Sequence, residues 1–170
     1  MEENVQLFVP KQPQIRKQYE FVDLSGHFSQ SHRVKKYCSN VQYVVFMIDS
    51  SDLQNINHSA KMLYYLLTLK PFDAMKPRPK LLIVGNKKDR PGASSMNTIK
   101  STLIKELNKL STSKSSLSSV DETADGEDEA VDIRKDVNGA LKWEDIEYDV
   151  SFGTTSVLEQ DIYCILEFLP

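Results

Sequence analysis

Two continuous apolar stretches, YVVFMID at 43–49 and KLLIVGN at 80–86, constrain the fold of this 170-residue chain more than any other feature. Each has the length of a strand, and neither alternates polar with apolar residues, which is the pattern of strands buried on both faces. The segment between them repeats apolar residues at helical spacing instead. A strand, a helix and a second strand in this order predict an α/β fold with a mostly parallel sheet.

Other segments extend this pattern. VQLFV (5–9) and QYEFVD (18–23), joined by a polar link that contains proline, predict an antiparallel hairpin. Three apolar stripes at helical spacing predict helices that face the core, the first with Asn55 as a possible N-cap. The stripes are Ile56, Ala60, Leu63, Tyr64 and Leu67; Ile99, Leu103, Leu107 and Leu110; and Leu158, Ile162, Ile165, Leu166 and Leu169.

The composition changes between residues 111 and 139, where a serine-rich stretch is followed by an acidic one. Such a segment cannot bury enough apolar surface to offset the entropy lost on ordering, so it predicts a disordered insertion. We expect one domain over 1–170 that contains this insertion. Trp143 is expected to anchor the chain where it re-enters the body.

Composition argues against several classes of function. A net charge of −3 and a pI near 5.6 give no electrostatic reason to expect contact with nucleic acid. Cys38 and Cys164 lack the C-x-x-C spacing of a zinc or redox site. The apolar runs are also shorter than the roughly 20 residues that a membrane span needs.

Polar residues follow three of the predicted strands, at 23–27, 86–89 and 154–156. Ligands of α/β sheets bind beyond the carboxyl ends of the strands, so one ligand could contact all three clusters. In the second cluster, Asp89 could accept two parallel hydrogen bonds from the ring N–H and exocyclic amine of guanine, a donor pair that adenine lacks. Asn86 would tie the loop together and reach the acceptor edge of the purine, and the aliphatic stem of Lys87 can cover the base. The alternative is an exposed charged turn, but the position after a buried strand favours a guanine site.

The first cluster suits the phosphate end of a nucleotide. Asp23 could hold a water of a phosphate-bound Mg²⁺, and Gly26 would let a backbone N–H approach a terminal phosphate. His27 could position a water as a catalytic residue, although an exposed turn histidine is the competing interpretation. A D-x-x-G motif alone is common in turns. Its interpretation as a phosphate site is favoured here because one strand-helix-strand unit separates it from the guanine cluster.

These residues resemble the Ras-like GTPase superfamily, and more narrowly the beta subunit of the signal recognition particle receptor. VDLSGH (22–27) is similar to that family's D-x-P-G-H, with Ser25 in place of proline. LIKELNKLSTSKSS (103–116) resembles its fourth helix running into a serine-containing segment. The long insertion followed by WEDIEYDVSFGTTSVLEQDI (143–162) resembles its insertion, final strand and last helix. The resemblance places Ser156 at the final base-contacting motif. It implies a three-layer Ras-like GTPase fold with GTP and Mg²⁺ as ligands.

One family motif is missing. None of the six glycines is followed by lysine, so the sequence contains no G-x-x-x-x-G-K-[ST] loop to cradle phosphates. We therefore expect the chain to lack the first strand, the phosphate loop and the first helix of such a domain. The family's first strand lies between those represented here by YEFVD and YVVFMID, so two strand edges should be unpaired. The missing loop also argues against GTP hydrolysis by this chain.

The resemblance implies a GTP-binding subunit that anchors the receptor's alpha subunit for cotranslational protein targeting. It places the protein at the cytosolic face of the endoplasmic reticulum membrane, attached through a transmembrane segment absent from this chain, without direct contact with nucleic acid. In the family, the GTP-bound form holds the N-terminal domain of the alpha subunit. A vesicle-trafficking small GTPase and a nucleotide-free scaffold with a GTPase fold are the alternatives.

Overall fold

The computed structural model describes residues 4–8, 19–24, 26, 32–37, 41–69, 78–117, 133, 139–146 and 148–169. Five strands and four helices are found in these ranges. In chain order they are β1 Asn4–Phe8, β2 Tyr19–Asp23, α1 His32–Tyr37, β3 Tyr43–Asp49, α2 Ile56–Leu67, β4 Lys80–Asn86, α3 Met96–Leu117, β5 Val150–Thr154 and α4 Tyr163–Phe168. Sequence reasoning had predicted all of these elements except the short helix α1.

The described strands form two sheets. β3, β4 and β5 make a parallel sheet with β4 in the centre, and β1 pairs with β2 as the predicted antiparallel hairpin. Within the described ranges no ladder joins β2 to β3. The parallel sheet confirms the α/β prediction.

Burial differs between the two strands predicted to be central. Leu81 to Val84 of β4 are all buried, as predicted for a strand covered on both faces. β3 is only partly buried over most of its length, and Met47 is 48% exposed, so that prediction was wrong for β3. The physical reason is that β3 pairs with a described strand along one edge only.

Helices lie on both faces of the parallel sheet. α2 and α3 pack against each other and share one core cluster with Leu81 and Ile83, which point to the same face of β4. On the other face, α4 approaches β5 so closely that a Cβ placed at Gly153 would lie 2.6 Å from Cys164 Sγ. A sheet between two helical layers is the predicted three-layer arrangement.

The first two helical stripes were predicted correctly. All five residues of the α2 stripe are buried, and so are Ile99, Leu103 and Leu107 of α3. Asn55 does precede α2, but its side chain makes no capping hydrogen bond and instead donates to Asp52.

The last stripe was predicted wrongly at its amino end. Leu158 is 83% exposed, and α4 begins only at Tyr163. Ser156 and Asp161 exchange backbone hydrogen bonds of 2.9 and 2.8 Å, which closes residues 157–160 into a turn. Because this turn uses residues counted as helical, the helix starts later than the apolar spacing suggested.

Helix α3 extends into the segment that was predicted to be an insertion. α3 continues through Ser111, which is buried, to Leu117, so the first seven residues assigned to the insertion are helical. The hydroxyls of Thr112 and Ser113 donate to backbone carbonyls one turn earlier, so these polar groups have partners within the helix. Most of 118–138 lies outside the described residues.

The segment around Trp143 is attached to the body of the domain, as predicted. The Trp143 Nε1 donates to the Lys100 carbonyl at 3.2 Å, and its ring meets Phe152 edge-on at 4.9 Å. Sequence reasoning missed a second anchor, in which Asn108 donates to the Leu141 carbonyl at 2.9 Å and accepts from the Leu141 N–H at 2.6 Å. Both anchors fasten this segment to α3.

Candidate functional site

The carboxyl ends of the three parallel strands lie side by side. The ladders pair Asp49 with Asn86 and Gly85 with Thr154, so the loops after β3, β4 and β5 leave the sheet at one edge. This is the edge at which α/β proteins bind ligands.

Side-chain hydrogen bonds connect the loops after β4 and β5. Ser156 Oγ donates to Asp89 Oδ1 at 2.5 Å, and Thr155 Oγ1 donates to Asn86 Oδ1 at 3.1 Å. The structure therefore brings together Asn86, Asp89 and Ser156, three of the residues predicted to contact a base. Thr155 belonged to a predicted cluster but was not assigned a role, although a hydroxyl directly after a strand could have indicated one.

Backbone hydrogen bonds also reinforce this edge. The Lys88 N–H donates to the Thr155 carbonyl at 3.2 Å, and the Thr155 N–H donates to the Gly85 carbonyl at 3.0 Å. Ser50, missed in the sequence, is buried and donates through both its N–H and its hydroxyl to the Asn86 carbonyl. The loops after all three strands are therefore held to one another.

Lys87 adopts a left-handed backbone conformation with φ of 62°. Its ammonium group pairs with Asp49 Oδ2 at the end of β3, while Asp49 Oδ1 accepts from the N–H of Ser51 at 3.0 Å and from its hydroxyl at 2.6 Å. Burial alone would raise the pKa of Asp49, but the hydrogen bonds from Lys87 and Ser51 outweigh it and lower the pKa to about 2. The carboxylate therefore stays ionised and keeps its partners at neutral pH.

Lys88 points to a different carboxylate. Its ammonium group pairs with Asp161 Oδ2, and their hydrogen bond raises the pKa of Lys88 and lowers the pKa of Asp161. Asp161 also shares the backbone bridge with Ser156. Sequence reasoning assigned no role to Asp49 or Asp161, because neither belongs to a recognisable motif.

Asp89 has the donor-accepting capacity that guanine requires. Its side chain is partly exposed, and within the described chain only Ser156 donates to it. A carboxylate oxygen can accept two hydrogen bonds, so the contact with Ser156 leaves room for a parallel N–H pair. The residues present thus fit a guanine base.

The cluster predicted to bind phosphate is separate in the described contacts. Asp23 is exposed at the end of β2, and a Cβ at Gly26 would meet nothing within 4 Å. No described hydrogen bond or ion pair links either residue to the loops after β4 and β5, and His27 lies outside the described residues. A single carboxylate is enough for a water-mediated Mg²⁺ contact, and the described residues contain no cluster of three or more side chains able to hold a metal directly.

The three-layer fold, with a parallel sheet and coupled loops at its carboxyl edge, is the Ras-like GTPase fold. A profile of the signal recognition particle receptor beta subunit family matches residues 5–150, and the chain belongs to that family.

Two curated relatives match parts of the chain. The signal recognition particle receptor subunit beta of Mus musculus is 36% identical over 96 residues, which cover 55% of this chain and 35% of the relative. ADP-ribosylation factor-like protein 8b of Arabidopsis thaliana is 31% identical over 77 residues, covering 45% of this chain and 40% of the relative. The matches thus span less than half the length of each relative.

Solved structures support the fold. The mammalian signal recognition particle receptor superimposes with a TM-score of 0.81 at 24% identity, covering 99% of this chain and 81% of that one. Two structures from Chaetomium thermophilum are similar as well. The receptor beta subunit with GDP and Mg has a TM-score of 0.60 at 20% identity, covering 79% of this chain and 69% of that one. The complex of the GTP form with SRX has a TM-score of 0.61 at 16% identity, covering 91% and 69%.

Across the described ranges, no helix is both long enough and apolar enough to span a bilayer.

Proposed function

We propose that the chain acts as part of a GTP-binding beta subunit of the signal recognition particle receptor. In this role it holds the receptor's alpha subunit at the cytosolic face of the endoplasmic reticulum membrane for cotranslational protein targeting. The contact between Asp89 and Ser156 carries the proposal, because it joins the two predicted base-binding loops in a chain of that family.

Each residue has a defined part in base recognition. Asp89 accepts the paired N–H donors of guanine, Ser156 orients that carboxylate, and Asn86 fixes the loop to Thr155. The stem of Lys87 covers the base while its ammonium group stays on Asp49. At the other end, Asp23 would bind a water of Mg²⁺ and the Gly26 N–H would approach a phosphate, with His27 placing a water. Bound GTP would supply the charge that orders the loops around its terminal phosphate.

The partner follows from the family. The Chaetomium beta subunit in its GTP form was solved together with SRX, which supports the alpha subunit as the partner here. Similarity to an ADP-ribosylation factor-like protein favours the vesicle-trafficking small GTPase as a second candidate. The lack of a G-x-x-x-x-G-K-[ST] loop favours a nucleotide-free scaffold as a third.

Co-purification with the N-terminal domain of the alpha subunit tests the proposal. We expect immobilised alpha-subunit domain to retain the chain more strongly with GTP than with GDP or ATP. The Asp89→Asn variant should lose this dependence on GTP and regain it with xanthosine triphosphate. Equal retention under all conditions would favour the scaffold, and no retention would favour the trafficking GTPase.

A further inference from the structure

Two adjacent lysines leave the β4 loop toward opposite neighbours. Lys87 pairs with Asp49, which ends β3, whereas Lys88 pairs with Asp161, which follows β5. The partners lie 38 and 73 positions away in sequence, on either side of β4 in the sheet. The loop is thus attached at two points that flank the predicted base site.

Lys87 has a backbone conformation that depends on support from its surroundings. A φ of 62° is in the left-handed region, which is unfavourable for a residue with a Cβ and persists where surrounding contacts hold it. The pair with Asp49 is one such contact. Release of Lys87 from Asp49 should therefore let the backbone between Asn86 and Asp89 relax.

Asp49 is itself held in place. Ser51 donates to Asp49 Oδ1 through both its N–H and its hydroxyl, which leaves Oδ2 to Lys87. A carboxylate fixed by three donors is a more rigid anchor than an exposed ion pair between two mobile side chains.

Asp161 is also coupled to the site through its backbone. It exchanges two backbone hydrogen bonds with Ser156, the residue whose hydroxyl donates to Asp89. Loss of the pair between Lys88 and Asp161 should therefore loosen the orientation of the Asp89 carboxylate as well as the loop.

We propose that Asp49 and Asp161 are positioning residues for base recognition, each anchoring one of the two lysines so that the loop is preformed before a nucleotide enters. This inference rests on the proposed guanine site and adds two residues to it. Preforming a loop strengthens binding because less conformational entropy is lost when the ligand arrives.

The test compares Asp49→Asn and Asp161→Asn with the wild-type chain in titrations with the monophosphates of guanosine, inosine and adenosine. Backbone amide signals of Asn86 and Asp89 in nuclear magnetic resonance spectra report binding. Asp149→Asn is the matched control, since Asp149 lies at the opposite end of β5 in an exposed ion pair.

We expect either variant to bind guanosine monophosphate about three- to tenfold more weakly, while the control is unchanged. Inosine lacks the exocyclic amine, so the preference for guanosine over inosine reports the orientation of Asp89. That preference should fall in Asp161→Asn. The double exchange of Lys88→Asp with Asp161→Lys should restore part of this preference for guanosine. No such restoration is expected if Asp161→Asn acts only by lowering the overall stability.

Failure of this inference and failure of the proposed guanine site would give different results. If the wild-type chain prefers guanosine to adenosine monophosphate and both variants bind like wild type, only this inference is overturned. If the wild-type chain shows no such preference, the proposed guanine site is overturned and this inference with it. Should Asp49→Asn fail to fold, Asp161→Asn alone decides.

Discussion

Ser156 donates its hydroxyl hydrogen to Asp89 across 67 positions of sequence, at an oxygen–oxygen distance of 2.5 Å. Ser156 is fully buried, whereas Asp89 is partly exposed. A buried donor therefore fixes a carboxylate that faces the solvent. The Asp89 carboxylate can therefore keep one orientation before a ligand binds.

Replacing Asp89 by asparagine tests which base the loop recognises. An amide offers a donor where the carboxylate offers only acceptors, so Asp89→Asn should shift preference from guanine to xanthine nucleotides. We expect a change in the ratio of the two affinities of about a hundredfold, because a polar site rejects a mispaired ligand strongly. Equilibrium competition between the two nucleotides measures it, with Asp149→Asn as the control. An unchanged guanine preference would show that this loop does not bind the base.

Asn108 should contribute strongly to stability. Its amide forms two hydrogen bonds with the backbone of Leu141, so Asn108→Ala leaves a donor and an acceptor without partners. We expect a loss of about 1–3 kcal/mol in the free energy of unfolding, measured by urea denaturation. Asn108→Asp keeps an acceptor for the Leu141 N–H but places a carboxylate oxygen beside the Leu141 and Ile104 carbonyls to which the amide donated, so it should also lower the stability. Equal stability of all three proteins would contradict the anchoring role.

Asp49 should make stability depend on acid pH. Its pKa is lowered to about 2 in the folded chain, so its contribution is present above the ordinary value of 3.8 and is lost as the pH falls toward 2. With a side chain about one-third exposed, solvent screening reduces this contribution to about 1 kcal/mol. The stability difference between wild type and Asp49→Asn should therefore be constant from pH 7 to 5 and shrink below pH 4. A difference that persists at pH 2 would contradict this account.

Met47 should promote self-association. It is 48% exposed on a strand paired along only one edge within the described chain, and such strands readily pair with other molecules. Met47→Lys should lower the apparent mass in sedimentation velocity at high protein concentration. Val157→Lys changes another exposed apolar residue, which is 65% exposed and lies in a turn, and should have little effect. If the two variants have the same apparent mass, the exposure of β3 does not explain self-association.

Local patterns predicted much of the fold. Ile99, Leu103 and Leu107 repeat at helical spacing and are fully buried, since a periodic apolar face in an α/β protein has only the sheet or another helix to pack against. The loop at Asn86 and Asp89 could be proposed as a base site because its residues lie close together in sequence.

Features set by distant contacts could not be predicted in this way. Leu158 continues the apolar stripe of the last helix but lies in a turn, because the backbone bridge between Ser156 and Asp161 closes there. Lys87 can pair with Asp49 because the register of β3 with β4 places Asp49 opposite Asn86. No local sequence pattern indicates that register. Exposure of β3 depends on which strands lie beside it, and its own composition is that of a buried strand.

Titration of the isotope-labelled chain with guanosine and adenosine monophosphates tests the central claim most directly. The amide signals of Asn86, Asp89 and Ser156 should shift together with the guanine nucleotide, at a concentration at least about tenfold lower than with the adenine nucleotide. Equal responses to both nucleotides, or shifts confined to other parts of the chain, would contradict the assignment of a guanine site to these loops.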